Sequence, residues 1–217
     1  MATTSPTFPS PVQFAWLKRA IFVLALVPFA RMVYLTVTGQ LVEPLEFITR
    51  GTGDWVLYFL CITLAVTPLR RLSKWNWLLK LRRMLGLYAF FYACLHLGVF
   101  LWLDLRGYWM QVFEDITKRP YITVGFLAWL LLVPLAVTST TGWIKRLGRN
   151  WARLHKLVYV IAVLAVLHFW WLVKSDIREP ALYAGIAALL LGWRAWKVLR
   201  TRATARAKAR TVPPARA

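Results

Sequence analysis

MLGLYAFFYACLHLGVFLWL (84–103) and LVYVIAVLAVLHFWWLV (157–173) are apolar over lengths that can cross a bilayer, and each carries one histidine, His96 and His168. An ionisable side chain in hydrocarbon costs roughly a few kcal/mol even on lenient insertion scales, so such a residue is functional by default. Neutral imidazole is the commonest metal ligand and a standard axial ligand of haem iron. Two histidines on two different spans therefore point to a haem held across a membrane bundle.

Working outward from these segments, the apolar residues fall into six blocks, about 17–37, 54–69, 84–103, 121–138, 155–173 and 181–199. Each is near the roughly 20 residues that span ~30 Å of hydrocarbon at 1.5 Å per residue. With hydrophobic residues at 59% and charged residues at 17%, one or two soluble domains are excluded. The fold predicted is all-α, an integral membrane bundle of six transmembrane helices. Residues 1–200 form one haem-binding transmembrane domain, and 201–217 a basic, disordered cytoplasmic tail. The first block is too long for a cleavable leader's apolar region, and no small-residue cleavage site follows it, so it reads as a retained anchor.

Charge placement gives the orientation. The connection 67–83 carries Arg70, Arg71, Lys74, Lys80, Arg82 and Arg83 without an acid, and 139–153 carries Lys145, Arg146, Arg149 and Arg153, again without one. From Arg194 onward eight more basic residues follow, and Lys18 and Arg19 open the first span. All eight acids lie in the other connections: Glu43, Glu46, Asp54, Asp104, Glu114, Asp115, Asp176 and Glu179. The positive-inside rule then places both termini in the cytoplasm. The net charge of +20 is read as contact with anionic lipid, above all along the tail. Nucleic acid is not implied, because the basic residues border spans and form no single recognition surface.

Depth follows from this topology. Spans three and five both run from cytoplasm to outside. His96 lies about 12 residues beyond Met84, or ~18 Å up, and His168 lies 13 residues beyond His155, or ~20 Å up. The two are level, in the outer half, as the two axial ligands of one iron must be. The competing reading is of two satisfied polar contacts. It is weakened by the absence of acids from the span centres, which also argues against ion-coupled transport.

His155 sits at the cytoplasmic mouth of span five in WARLHKLVY. On a straight helix it turns away from His168 by ~140°. The positions level with it on span three are Arg82 and Arg83, neither a usual haem ligand. His155 is thus a ligand of a second, inner haem, a contact to a propionate or to a flavin or quinone headgroup, or an interfacial histidine. Arg82 and Arg83 are candidates for propionate, flavin phosphate or quinone carbonyl, set against an ordinary positive-inside anchor. Cys61 and Cys94 lie within spans and read as small buried hydrophobes. Pro28 and Pro134 interrupt spans one and four. No G-x-G-x-x-G follows a strand and no C-x-x-C-H occurs, so neither a nicotinamide or FAD domain nor c-type haem attachment is present.

RRMLGLYAFFYACLHL (82–97), KRPYITVGF (118–126) and TGWIKRLGRNWARLHKLVYVIAVLAVLHFWWLVKSD (141–176) closely resemble the MsrQ (YedZ) family, the haem-binding membrane subunit of the bacterial periplasmic methionine sulfoxide reductase system. More distantly the chain is similar to the ferric reductase and NADPH oxidase transmembrane domain, with two haems between its third and fifth helices. It departs from that larger family at Arg82 and Arg83, where the first histidine of helix three would fall. The resemblance implies heme b (one or two), an associated FMN, electrons from membrane quinol, and a periplasmic molybdopterin-containing catalytic partner, MsrP, in a heterodimer at the bacterial inner membrane. The family's haem histidines carry over onto His96 and His168, and onto His155. The chain then serves as an electron-transfer subunit, not as the catalytic one. The rival readings are a self-sufficient metalloreductase acting on external ferric or cupric ions, and a non-redox transporter or assembly factor. The loops 104–120 and 174–180, on the exit side, are the expected partner contacts.

Overall fold

The computed structural model describes residues 9–105, 107–173 and 176–211, and the backbone alone for Trp109 and residues 205–211. Among these residues nine α-helices follow in order: α1 (Pro11–Val37), α2 (Pro44–Ser73), α3 (Leu79–Val99), α4 (Trp109–Lys118), α5 (Pro120–Val137), α6 (Thr141–Leu147), α7 (Arg149–Leu154), α8 (Leu157–Leu172) and α9 (Arg178–Thr211). Among the described residues there is no strand. Six stretches are long and apolar enough to cross a membrane: α1, α2, α3 with its flanking turns, α5, α7 with α8, and α9 to Thr204.

Helix ends obey local chemistry, which is why they run past the apolar blocks. Ser10 caps α1 in a reciprocal capping box with Gln13, with Pro11 in the first turn; prolines likewise open α2 and α5, where a missing N–H costs nothing. Gly39 follows α1 at φ 66° and Gly148 separates α6 from α7 at φ 51°, backbone angles that glycine adopts without strain. Hydropathy marks only the part of each helix that meets hydrocarbon. It therefore misses these polar ends, and it also misses α4, a helix inside the outer connection 104–120. The last helix continues through Thr211, so the basic tail begins as its extension; residues 212–217, like Lys174 and Ser175 of the loop 174–180, lie outside the described residues.

The bundle is built from two hairpins, α2 against α3 and α5 against α8, which meet across α3 and α5. Leu64, Ala89, Tyr92 and Ile161 are fully buried in the shared core. Helix α1 is peripheral and is fastened by two tyrosines of α3. The Tyr88 hydroxyl donates to the Phe22 carbonyl at 2.7 Å. The Tyr92 hydroxyl donates to Ala25 O at 2.8 Å and accepts from Phe29 N–H at 3.2 Å, so it bridges a donor and an acceptor one turn apart beside Pro28.

Besides Pro28 and Pro134, Pro68 lies inside α2. A proline deprives the carbonyl four residues back of its helical donor, here Leu64. The guanidinium of Arg194 on α9 supplies the missing bond to Leu64 O, while also donating to Leu190 O at 2.7 Å. One cation thereby fixes α9 on α2.

Candidate haem site

His96 stands near the C-terminal end of α3, and His168 near that of α8. The hairpin packing brings the two rings together, with centroids 6.2 Å apart and planes at 82°. Each ring is held from behind by the helix preceding its own in the hairpin. His96 Nδ1 lies 3.1 Å from the Thr49 carbonyl and 3.1 Å from the Thr52 hydroxyl. That hydroxyl gives its proton to Ile48 O at 2.8 Å. His168 Nδ1 lies 2.6 Å from the Tyr121 carbonyl. A carbonyl only accepts, so in both rings Nδ1 bears the proton and Nε2 keeps a bare lone pair.

Glycine makes the close approach available. A Cβ at Gly53 would stand 3.3 Å from His96 Cε1, and one at Gly125 would stand 2.6 Å from His168 Nδ1. In each hairpin the carbonyl that holds the ring lies four residues before the glycine that backs it: Thr49 before Gly53, Tyr121 before Gly125. Thr49, Thr52, Gly53, Tyr121 and Gly125 escape a reading of the sequence. All but Thr52 act through a backbone carbonyl or through lacking a side chain, and glycine and threonine are ordinary packing residues in membrane helices. The one available signal is that both glycines lie on helices adjacent to a histidine-bearing one.

The fit to a haem can be tested on this geometry. Two imidazoles on opposite sides of one metal, each bonded at about 2 Å, have ring centres about 6 Å apart. Ligating histidines characteristically donate the other ring N–H to a carbonyl or carboxylate, which fixes tautomer and orientation. The 6.2 Å centroid separation and the carbonyl partners of both Nδ1 atoms agree with these two requirements. Among the described residues no group of three or more histidines, cysteines or acids could hold a metal ion. The pair suits an iron whose remaining bonds come from a macrocycle, and does not suit a bare ion that needs four protein ligands.

His155 is placed apart. The fifth span breaks at this residue, between α7 and α8, so the straight-helix geometry does not apply. Its ring stacks on Trp151 at 4.0 Å. Its Nδ1 lies 3.1 Å from Trp151 O, the Leu135 backbone is within reach of the ring, and its Nε2 is buried with no hydrogen bond of normal geometry among the described residues. Arg82 and Arg83 divide: Arg82 is half-buried and within electrostatic range of His155 and Arg194, whereas Arg83 is exposed. Cys61 and Cys94 are free thiols, Cys94 receiving the Trp129 indole N–H at 3.4 Å.

The chain's relatives bear on this geometry. Residues 50–166 match the family described as ferric reductase like transmembrane component. A protein-methionine-sulfoxide reductase heme-binding subunit MsrQ of Xanthomonas campestris pv. campestris (strain 8004) is 67% identical over 173 residues, covering 80% of this chain and 79% of the relative. The protein of the same name from Herminiimonas arsenicoxydans is 57% identical over 187 residues, covering 84% of this chain and 86% of the relative. No solved structure matches the chain. The family match covers Gly53, His96 and Gly125 and ends two residues before His168, and by this match and these relatives the chain belongs to the MsrQ family, within the ferric reductase-like transmembrane proteins.

Proposed function

We propose that the protein is a b-type cytochrome that carries electrons across part of the bacterial inner membrane to a periplasmic methionine sulfoxide reductase, the molybdopterin-containing MsrP. The observation that carries this reading is the pair of facing imidazoles whose Nδ1 atoms are both committed to backbone carbonyls. His96 and His168 would hold the iron of a heme b. The haem supplies one-electron chemistry between ferric and ferrous iron. The protein's part is ligation, exclusion of water and placement. The Thr49 and Tyr121 carbonyls orient the rings, and Gly53 and Gly125 let the backing helices close on them. The lysines and arginines of the connections 67–83 and 139–153 put those connections and both termini in the cytoplasm, so the pair lies towards the periplasm. Electrons come from membrane quinol or from an FMN-bearing donor. His155 and Arg82 form the inner contact, to a second haem or to a cofactor headgroup, and the tail lies on anionic lipid.

Spectroscopy of the purified full-length protein tests this. A Soret band that shifts on dithionite reduction is expected, with the low-spin signature of two imidazole ligands, and haem counted per polypeptide gives the number of sites. Protein without such a band would overturn the reading and leave a non-redox membrane role. Rapid reduction of external ferric citrate without any periplasmic partner would favour a self-sufficient metalloreductase, a reading the ferric reductase match makes worth testing.

A further inference from the structure

We propose that α4 is a membrane-surface helix whose apolar flank is seated among lipid acyl chains at the histidine end of the bundle. At 3.6 residues per turn, residues 110–118 sort into three flanks whose centres lie about 100–140° apart. Met110, Phe113 and Thr117 form the first, and Gln111, Glu114 and Lys118 the second; both are exposed. Val112, Asp115 and Ile116 form the third, which is turned inward. The protein against which α4 packs is α5.

Surrounded by water, this helix would be inside out. Met110 is 83% and Phe113 69% exposed, whereas Asp115, on the inward flank, is only 6% exposed. Asp115 Oδ1 meets Arg119 Nε at 3.2 Å, and its Oδ2 is buried without a hydrogen-bond partner among the described residues. Burying a carboxylate while leaving large apolar side chains in water is unfavourable on both counts. An apolar medium against the first flank removes the second cost. Thr117 brings the one hydroxyl of that flank, and it donates to backbone, with Phe113 O at 3.0 Å and Glu114 O at 2.9 Å. Nothing polar on this flank therefore needs water. The second flank has the opposite character: Glu114 and Lys118 pair with each other, one turn apart, and Gln111 shares their face.

The path of the chain decides what covers the apolar flank. Arg119 alone separates α4 from α5, a span of 18 residues. At 1.5 Å per residue α5 is ~27 Å long, just enough for ~30 Å of hydrocarbon, so Pro120 stands at the hydrocarbon border. A helix tied to that border, with one flank on protein, one apolar and one polar, has the build of an interfacial helix. The apolar side of such a helix sinks roughly 5–10 Å into the boundary of headgroups and acyl chains. The flank carries no charge, so zwitterionic phosphatidylcholine suffices as its occupant. A protein arriving from the aqueous side meets Gln111, Glu114 and Lys118 instead. The seat also bears on the cradle of His168. The Thr123 hydroxyl donates to Ile116 O, and Tyr121, whose carbonyl holds His168, lies between that threonine and Arg119.

The test uses the full chain in phosphatidylcholine nanodiscs and needs no variant to begin. A phosphatidylcholine with a diazirine on the upper part of one acyl chain should label the tryptic peptide 107–118 as heavily as peptides from the spans. Phe113→Asp should lower that labelling several-fold and leave the spans' labelling unchanged. A peptide 107–118 left unlabelled in the unmutated protein would overturn the proposal. Nitroxide labels then read the flanks separately, at single cysteines placed in a Cys61→Ala, Cys94→Ala background. Met110→Cys and Phe113→Cys should collide with oxygen in preference to a water-soluble nickel chelate, and Gln111→Cys and Glu114→Cys should show the reverse. Four positions equally open to nickel would place α4 in water and overturn the proposal. Labels at 110 and 113 shielded from both agents would overturn it too, in favour of a protein cover such as a second copy of the chain. Neither measurement depends on bound haem.

Discussion

The α2 cradle of His96 and the α5 cradle of His168 follow one plan with different tightness. In both, a carbonyl takes the Nδ1 proton and a glycine four residues later admits the ring. At α5 the contact is single and close, 2.6 Å from Nδ1 to Tyr121 O, and a Cβ at Gly125 would fall at the same 2.6 Å from Nδ1. At α2 the proton is shared between Thr49 O and the Thr52 hydroxyl, both at 3.1 Å, and a Cβ at Gly53 would meet the ring at 3.3 Å. One histidine is fixed by a wall, the other by a pair of partners. Ring orientation is thus set by backbone on both sides, and the α2 side has slack that the α5 side lacks.

The largest expected effect removes the cradles' contents. His96→Ala and His168→Ala should each abolish the bis-imidazole haem signal, measured as low-spin haem per polypeptide. Full retention in either variant would break the pairing of the two cradles. His155→Ala should retain that signal, because its ring belongs to a separate inner contact.

Next in size is the contrast between the glycines. Gly125→Ala forces a methyl onto His168 Nδ1 and the backbone bond behind it, so either α5 or the ring must move. Overpacking of this kind costs about 1–3 kcal/mol, and displaced outer-shell partners of a metal ligand typically cost roughly 10–100-fold in affinity. Gly53→Ala meets a tight but yielding contact and should lose less. Titration of haem into the two purified apoproteins ranks them, and a Gly53→Ala loss equal to or larger than that of Gly125→Ala would contradict the difference in tightness.

How much of this was legible in the sequence follows from which atoms do the holding. The six spans were, because hydropathy is a property of side chains summed over a helix. The approach of His96 and His168 was, because two spans running in the same sense carry a histidine at nearly the same count. The break at His155 was not, since WARLHKLVY contains neither glycine nor proline to announce it. Helix α4 was hidden inside a connection read as a loop. The cradles were invisible for another reason: a carbonyl leaves no mark in the one-letter code, and Gly53 and Gly125 act by what they lack. Pro68 was in view as a residue, yet its consequence, a carbonyl at Leu64 that recruits Arg194 from α9, requires knowing which helices touch.

The smallest expected effect tests the slack directly. Thr52 gives its hydroxyl proton to Ile48 O and offers a lone pair to the His96 N–H, so it helps hold the tautomer without being the sole acceptor. Thr52→Val keeps the shape and deletes the hydroxyl. Thr49 O still takes the proton, so the loss should be that of one shared hydrogen bond, about 1 kcal/mol, far below the effect at Gly125. Thr52→Ser should restore it, which a merely steric role for the threonine methyl would not. Haem affinity and the low-spin spectrum of the two variants decide between these. If Thr52→Val lost haem as completely as His96→Ala, the carbonyl would not be the principal acceptor. The two cradles would then differ in kind, one held by a side chain and the other by the backbone.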